Sequence, residues 1–292
     1  MSATTLTTRP PAVPGPVEAA AARRNAPRPR WHLYLAAVLI SLFILIPIYL
    51  IAMAAFSPRD VLNGFPKSIV PTTLSAETMQ AFLGTRGVAP SMVNSVIVGV
   101  ITLVLSLLLG APAGYALARF GFRGRDTFQL VILITRAFPI VILAVPLTVT
   151  FIDWNLYDTL LGVALVHTAL ALPTTVLITA SVFVAVPRDL EEAALTMGCT
   201  PLGAFLRVAL PLALPGLAAA SIFTFVLSWN EVFAAVILTV QNRTLPAQVL
   251  TALGASPLAY RFAGGFALIV PALVFIFVIR RYLFNMWGRV TR

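Results

Sequence analysis

Charge is scarce in this sequence. Asp, Glu, Lys and Arg make up 10% of its 292 residues, where ordinary soluble domains carry about 25%. Cysteine is nearly absent: Cys199 stands alone, so no intramolecular disulfide can form. The two histidines, His32 and His167, lie far apart, and no His/Cys cluster has metal-ligand spacing. G-x-S-x-G, H-E-x-x-H, CxxC and the phosphate-cradling Walker loop are all missing. These absences leave no enzyme site, no metal site and no means for the chain to hydrolyse ATP by itself. No unit of about 20–50 residues repeats, which excludes a solenoid.

What fills the space is apolar. Hydrophobic residues make up 59% of the chain, beyond what a larger core explains; a protein facing lipid needs an apolar outside as well as an apolar inside. A hydrocarbon core of about 30 Å takes about 20 apolar residues in a helix. Six stretches qualify, near 31–56, 91–118, 127–151, 159–186, 211–240 and 263–284. Each carries proline: Pro47, Pro112, Pro139 with Pro146, Pro173, Pro215 and Pro271. In a membrane bundle, neighbouring helices and Ser/Thr side chains satisfy the freed backbone groups, so the prolines predict kinks rather than breaks. The predicted fold class is an all-α polytopic membrane protein with six transmembrane helices.

Residues 1–30, rich in Pro, Ala, Thr and Arg, bury too little to offset their ordering entropy and read as a disordered tail. Ala52-Met53-Ala54 imitates a signal-peptide cleavage site, but the apolar run from Trp31 to Phe56 exceeds a signal core of about 7–15 residues and reads as a retained anchor. The net charge of +10 would suggest nucleic acid in a soluble protein. Here the bases flank the spans, so they report topology and no nucleic-acid partner is expected. With the N-terminus inside, 14 bases fall on cytoplasmic segments and 5 on outer ones, Arg136 lying within a span. That bias predicts both termini in the cytoplasm. The outer loop over 57–90 holds a stretch, TLSAETMQAFL, that suits a short surface helix.

The segment 187–210 is too polar to span. Its apolar residues recur at helical spacing on either side of Gly198, and Thr200-Pro201 supplies a helix start. It predicts two short helices meeting at a turn. Within it, Glu192-Ala193-Ala194, then Gly198, then Leu210-Pro211 follow the E-A-A-x-x-x-G spacing with its distant Leu-Pro. This resembles the EAA loop of binding-protein-dependent ABC importer permeases, with Met197 standing where that family often has Asp. Asn94-Ser95, the run Gly114 to Arg119-Phe120, Thr135-Arg136-Ala137-Phe138-Pro139 and Ser228-Trp229-Asn230-Glu231 extend the resemblance to the carbohydrate-uptake permeases, specifically the six-helix maltose-type subunit, over about residues 31–292.

The resemblance implies a domain over 31–292 with the type I importer permease fold, in the bacterial cytoplasmic (inner) membrane. It implies that 187–210 is a coupling loop docking on an ATPase subunit, with Glu192, Ala193, Ala194, Gly198 and Pro211 as its coupling residues. The implied partners are a second homologous permease, two ABC ATPase subunits that bind ATP and Mg, an extracytoplasmic solute-binding protein and the lipid bilayer; the chain itself would hold no cofactor. The implied function is sugar or polyol import by alternating access, without enzymatic activity in this chain. An ABC permease for another solute, such as glycerol phosphate, a polyamine or an amino acid, is the rival, followed by an ion-coupled secondary transporter or channel.

Polar groups inside the spans carry the substrate question. Arg136 should face the bundle, since an Arg at a helix centre costs about 2.5–3.5 kcal/mol on insertion scales. A pathway contact and a helix-pairing or snorkelling residue are both open for it. Trp229, Asn230 and Glu231 offer an aromatic face, an amide and a carboxylate, groups suited to a sugar. An interfacial Trp with an inter-helix hydrogen bond is the alternative; the pathway reading is preferred because Glu231 has no basic partner in its own helix. His167 reads as a packed helix residue and Cys199 as a small loop residue.

Overall fold

The computed structural model describes residues 31–65, 70, 73–253 and 256–287. The tail at 1–30, Lys67, Arg289 and Arg292 fall outside them. The chain divides into two units, Met1–Tyr49 and Leu50–Arg292. Helix α1 (Trp31–Ala55) begins in the first and at 25 residues is about 37 Å long, enough to cross a bilayer.

Among its described residues, the second unit's regular elements are all helices. Two short helices, α2 (Arg59–Asn63) and α3 (Glu77–Leu83), precede α4 (Val88–Arg119). Then come α5 (Arg125–Thr135), a 3-10 turn (Ile140–Leu143), α6 (Ala144–Asp153), α7 (Leu160–Ala185) and α8 (Arg188–Thr196). The remainder is α9 (Pro201–Asn230), α10 (Phe233–Leu238), α11 (Leu245–Leu253) and α12 (Leu258–Trp287). Helix α3 occupies the outer-loop stretch expected to form a surface helix.

The spans at α1, α4, α7 and α12 lie within a few residues of the expected ones. Their prolines, Pro47, Pro112, Pro173 and Pro271, sit inside uninterrupted helices, as does Pro215 in α9. The third span departs from expectation. It is broken: α5 and the segment Ile140–Asp153 meet at a bend of 76°. Pro139 lacks an N–H and biases Phe138 away from helical geometry. Residues Arg136 to Pro139 are exposed on this chain, so no packed neighbour holds a helical course through them.

The fifth span also departs. It ends at Asn230 rather than near 240, and α10 is a separate short helix. At its other end it starts early, at Pro201. The second of the two short helices expected in 187–210 is therefore the first turn of α9, joined to it through a π-helical turn, Phe205–Ala209. Pro211 accounts for that turn: a proline clashes with the carbonyl four residues back, here Arg207, and widening the turn moves that carbonyl aside.

The main helix pair is α4 with α7, and small residues make it close. Gly110 and Gly114 of α4 lie against Thr175 and Thr179 of α7, all buried. Such seams let backbones approach where lipid removes the hydrophobic drive for helix pairing. The Thr179 hydroxyl donates to the Gly110 carbonyl at 2.9 Å, and a Cβ on Gly114 would meet Thr179 Oγ1 and lie 2.7 Å from the Ala180 nitrogen. Gly114→Val should therefore overpack the seam and cost about 1–3 kcal/mol. A lowered melting temperature in detergent is expected; unchanged melting would remove the seam from this account.

Candidate functional site: a polar cavity and an exposed short helix

Two helix interruptions face one cavity of about 570 Å³. The break in the third span presents Thr135 and Arg136, and the end of α9 presents Asn230 and Glu231, with Phe223 and Phe233 adding aromatic surface. Interrupted helices lining a cavity are where membrane proteins tolerate non-helical backbone.

Glu231 is extended (φ −74°, ψ 126°) between α9 and α10. Its carboxylate accepts the N–H groups of Phe233 at 3.1 Å and Ala234 at 3.0 Å, capping the first turn of α10. Across the interface, His167 Nε2 of α7 lies 3.2 Å from Glu231 Oε2. Glu231 has no basic partner in its own helix, as the sequence indicated; the partner comes from another helix. His167 is fully buried and its Nδ1 is 2.9 Å from Ser228 Oγ, which donates in turn to Thr102 Oγ1 at 3.4 Å. A chain of polar groups thus runs from the cavity into the contact of α4, α7 and α9. Sequence reasoning treated His167 only as packing. The available signal was that His167 and Glu231 are both ionisable groups in otherwise apolar stretches, which demands partners.

Arg136 lines the same cavity, and among the described residues its guanidinium makes no hydrogen bond or ion pair. Asn230 also lines it, with Nδ2 donating to the Val226 carbonyl at 2.9 Å. Trp229 does not. It is 1% exposed, stacks on Phe225 at 5.8 Å and donates from Nε1 to the Leu268 carbonyl of α12 at 2.8 Å. The structure thus brings Arg136, Asn230 and Glu231 together and assigns Trp229 to the α9–α12 contact.

The segment between α7 and α9 forms the second feature. Helix α8 ends in a left-handed glycine: Gly198 has φ +90°, Cys199 N–H bonds the Ala194 carbonyl at 3.0 Å and Gly198 N–H bonds that of Leu195 at 3.0 Å. This is a Schellman cap. Thr200 then caps α9, its hydroxyl accepting from Gly203 N–H at 3.1 Å, with Pro201 in the first turn. Glu192, Ala193, Leu195 and Met197 are exposed, Met197 to 82%, and so are Gly198, Leu202 and Pro211. Ala194 is buried beneath α8, so of the two alanines only Ala193 is available to a partner.

The neighbouring Glu191, unlike Glu192, is turned toward the membrane helices. It is buried against Tyr115 and Arg119 of α4. The sequence motif drew attention to Glu192, and Glu191 was missed because its partner lies more than seventy positions away.

At the opposite end of α4, Asn94 donates to the Arg243 carbonyl at 3.0 Å and Ser95 accepts from Leu245 N–H at 2.7 Å. The loop before α11 is also clipped by Asp158, whose Oδ1 accepts from Val240, Gln241 and Asn242 N–H at 2.9–3.0 Å. Partial burial opposes ionisation of Asp158, but the three N–H donors and the Arg243 charge outweigh it and hold the carboxyl below its usual range. The stabilisation is complete above the unfolded carboxyl's value, about 3.9, and is lost as pH falls through the lower folded value. Asp158→Asn should melt lower than the parent at neutral pH, with the gap closing under acid. A gap independent of pH would exclude the charge as the cause.

Comparison with known proteins places the chain in a family. Residues 106–285 match the family described as binding-protein-dependent transport system inner membrane component. The chain is 31% identical over 245 residues to the trehalose transport system permease protein SugB of Mycobacterium tuberculosis, covering 82% of this chain and 89% of that one. It is 33% identical over 250 residues to the diacetylchitobiose uptake system permease protein NgcG of Streptomyces coelicolor, covering 84% and 82%. It is 31% identical over 269 residues to the arabinooligosaccharides transport system permease protein AraQ of Halalkalibacterium halodurans, covering 89% and 95%. Its fold is similar, at TM-score 0.67 and 22% identity, to a chain of a bacterial ABC transporter involved in the import of the acidic polysaccharide alginate, covering 88% of this chain and 98% of that one. The chain belongs to the inner-membrane component family of binding-protein-dependent transport systems and is a membrane-embedded permease subunit of an ABC importer.

Proposed function

We propose that this chain is one of two permease subunits of an importer for a sugar, and that it takes its energy from partner ATPase subunits docked on α8. The observation that carries the reading is a solvent-facing amphipathic helix built on the EAA spacing, with Glu192 and Ala193 outward and the Gly198 turn at its end. Exposed Leu195, Met197 and Leu202 give that surface apolar area that a soluble partner can cover. Glu192 supplies a carboxylate for a basic group on the ATPase, Ala193 allows close approach, Gly198 makes the bend and Ala194 seats α8 on the permease. Pro211 acts at a distance, through the π-helical turn that begins α9.

A sugar suits the cavity. Asn230 and Arg136 are donors for hydroxyls, Glu231 is a fixed acceptor, and Phe223 and Phe233 offer faces for C–H surfaces. The named cargoes of the relatives, trehalose, diacetylchitobiose and arabinooligosaccharides, support the class. Trp229 contributes by holding α9 against α12. In this mechanism the ATPase dimer closes around ATP and Mg and swings the two permeases from inward-open to outward-open. An extracytoplasmic binding protein delivers sugar to the cavity between them, and hydrolysis resets the inward state, so each state is favoured by a partner's differential contacts. Both termini and α8 lie on the cytoplasmic side, in keeping with the excess of Arg there.

Glu192→Ala combined with Gly198→Pro should release the ATPase subunits and abolish uptake of labelled sugar in cells, with the spans still inserted. Pro cannot adopt the positive φ that Gly198 requires. Persisting uptake in that variant would refute the docking role of α8.

A further inference from the structure

A buried ion pair sits where α8 meets the membrane helices. Arg119, in the last turn of α4, donates from Nε to Glu191 Oε1 at 2.8 Å, and its Nη2 contacts the same oxygen. Both side chains are 8% exposed. Tyr115, one turn earlier on α4, donates its hydroxyl to Glu191 Oε2 at 2.7 Å. Both carboxylate oxygens are therefore held by one helix face. Arg119 Nη2 also donates to the Val186 carbonyl at 2.9 Å, just past the end of α7. Arg188, in the first turn of α8, returns the tie by donating to the Ala118 carbonyl at 3.0 Å. The Tyr115 ring packs on Phe183 of α7 at 5.3 Å and on Phe205, in the π-helical turn of α9, at 4.6 Å. One cluster thus joins α4, α7, α8 and the root of α9.

The chemistry is costly for a merely structural contact. Taking a guanidinium and a carboxylate out of water is expensive, and a well-packed apolar pair of similar volume is often as stable. What charge adds is direction and reach: the pair is anchored at both carboxylate oxygens and resists sliding, whereas apolar side chains slip. Helix α8 is short and is linked to α7 through the extended residues Val186 and Pro187. Without a cross-tie, a push on α8 would be absorbed by rotation about that link. With it, the push enters the end of α4, a 32-residue helix that is seamed to α7 and holds the loop before α11 through Asn94 and Ser95.

We infer that Glu191, Arg119 and Tyr115 form the joint that makes α4 move with α8, converting displacement of the docked ATPase into displacement of the membrane helices. The inference rests on the docking of α8 proposed above. Glu191 and Arg119 are positioning residues; both side chains are 8% exposed, whereas the neighbouring Glu192 is exposed. The joint divides the labour of the two adjacent glutamates: Glu192 holds the partner and Glu191 holds the permease.

The test uses the complete transporter in proteoliposomes: this chain, the second permease, both ATPase subunits and the binding protein with labelled sugar. Three quantities are read: ATPase subunits retained through purification, ATP hydrolysed and sugar delivered. Glu191→Gln and Arg119→Gln should retain the ATPase subunits and continue to hydrolyse ATP, while sugar delivered per ATP falls by roughly tenfold, within the span of coupling between linked sites. Exchange of the pair, Glu191→Arg with Arg119→Glu, should restore part of that ratio. Tyr115→Phe, which removes one hydroxyl from an otherwise intact cluster, should lower the ratio by roughly two- to tenfold. An unchanged ratio in Tyr115→Phe and in the single variants would overturn the joint. So would loss of the assembled complex in the single variants and the exchange alike, which marks a purely structural pair. Failure of the docking proposal would appear separately, as ATPase subunits retained by the Glu192→Ala, Gly198→Pro variant.

Discussion

Inside a bilayer no water is present to bond a stray N–H or carbonyl, and each unsatisfied group costs several kcal/mol. That constraint organises this chain. It makes the long segments helical and allows helices to run through Pro47, Pro112, Pro173, Pro215 and Pro271 only with their freed carbonyls managed. Helical geometry is interrupted at Pro139 and at Glu231, where the backbone opens on the cavity. At the second break a side chain replaces the lost partners, because the Glu231 carboxylate takes the first N–H groups of α10.

The same economy governs the charges. Three ionisable side chains of the described second unit find their partners in other elements. Glu231 meets His167, Glu191 meets Arg119 and Tyr115, and Asp158 gathers three backbone donors. Each of these contacts ties together segments distant in sequence. The first reaches from the cavity into the contact of three helices, the second fastens α8 to α4, and the third clips two loops. Arg136 differs in facing the cavity without such a tie. In a permease, a donor left free at a cavity is a group available to cargo.

Much of the fold was legible because hydropathy and length suffice to locate a spanning helix. The ends of α4, α7 and α12 lie within a few residues of the apolar runs. The break at Pro139 was not legible, since a proline kinks or breaks a helix according to what packs around it. The π-helical turn before Pro211 was hidden for the same reason. At the site, the motif located α8 and its glycine turn. It could not tell Glu191 from Glu192, because consecutive residues on a helix point about 100° apart and only a tertiary partner, Arg119, decides which is buried. Trp229 was assigned to the pathway on residue type; which face of α9 it occupies depends on α12, and the Leu268 carbonyl holds it there.

The central claim is that α8 is the surface through which an energy-supplying partner acts. Hydrogen exchange of the amides over 188–200 tests it most directly, with the permease pair measured alone and then with the ATPase subunits bound. The account predicts that exchange there slows when the ATPase subunits bind, while the α4–α7 seam stays unchanged. Equal exchange over 188–200 in the two samples, with protection appearing on another exposed segment, would contradict it.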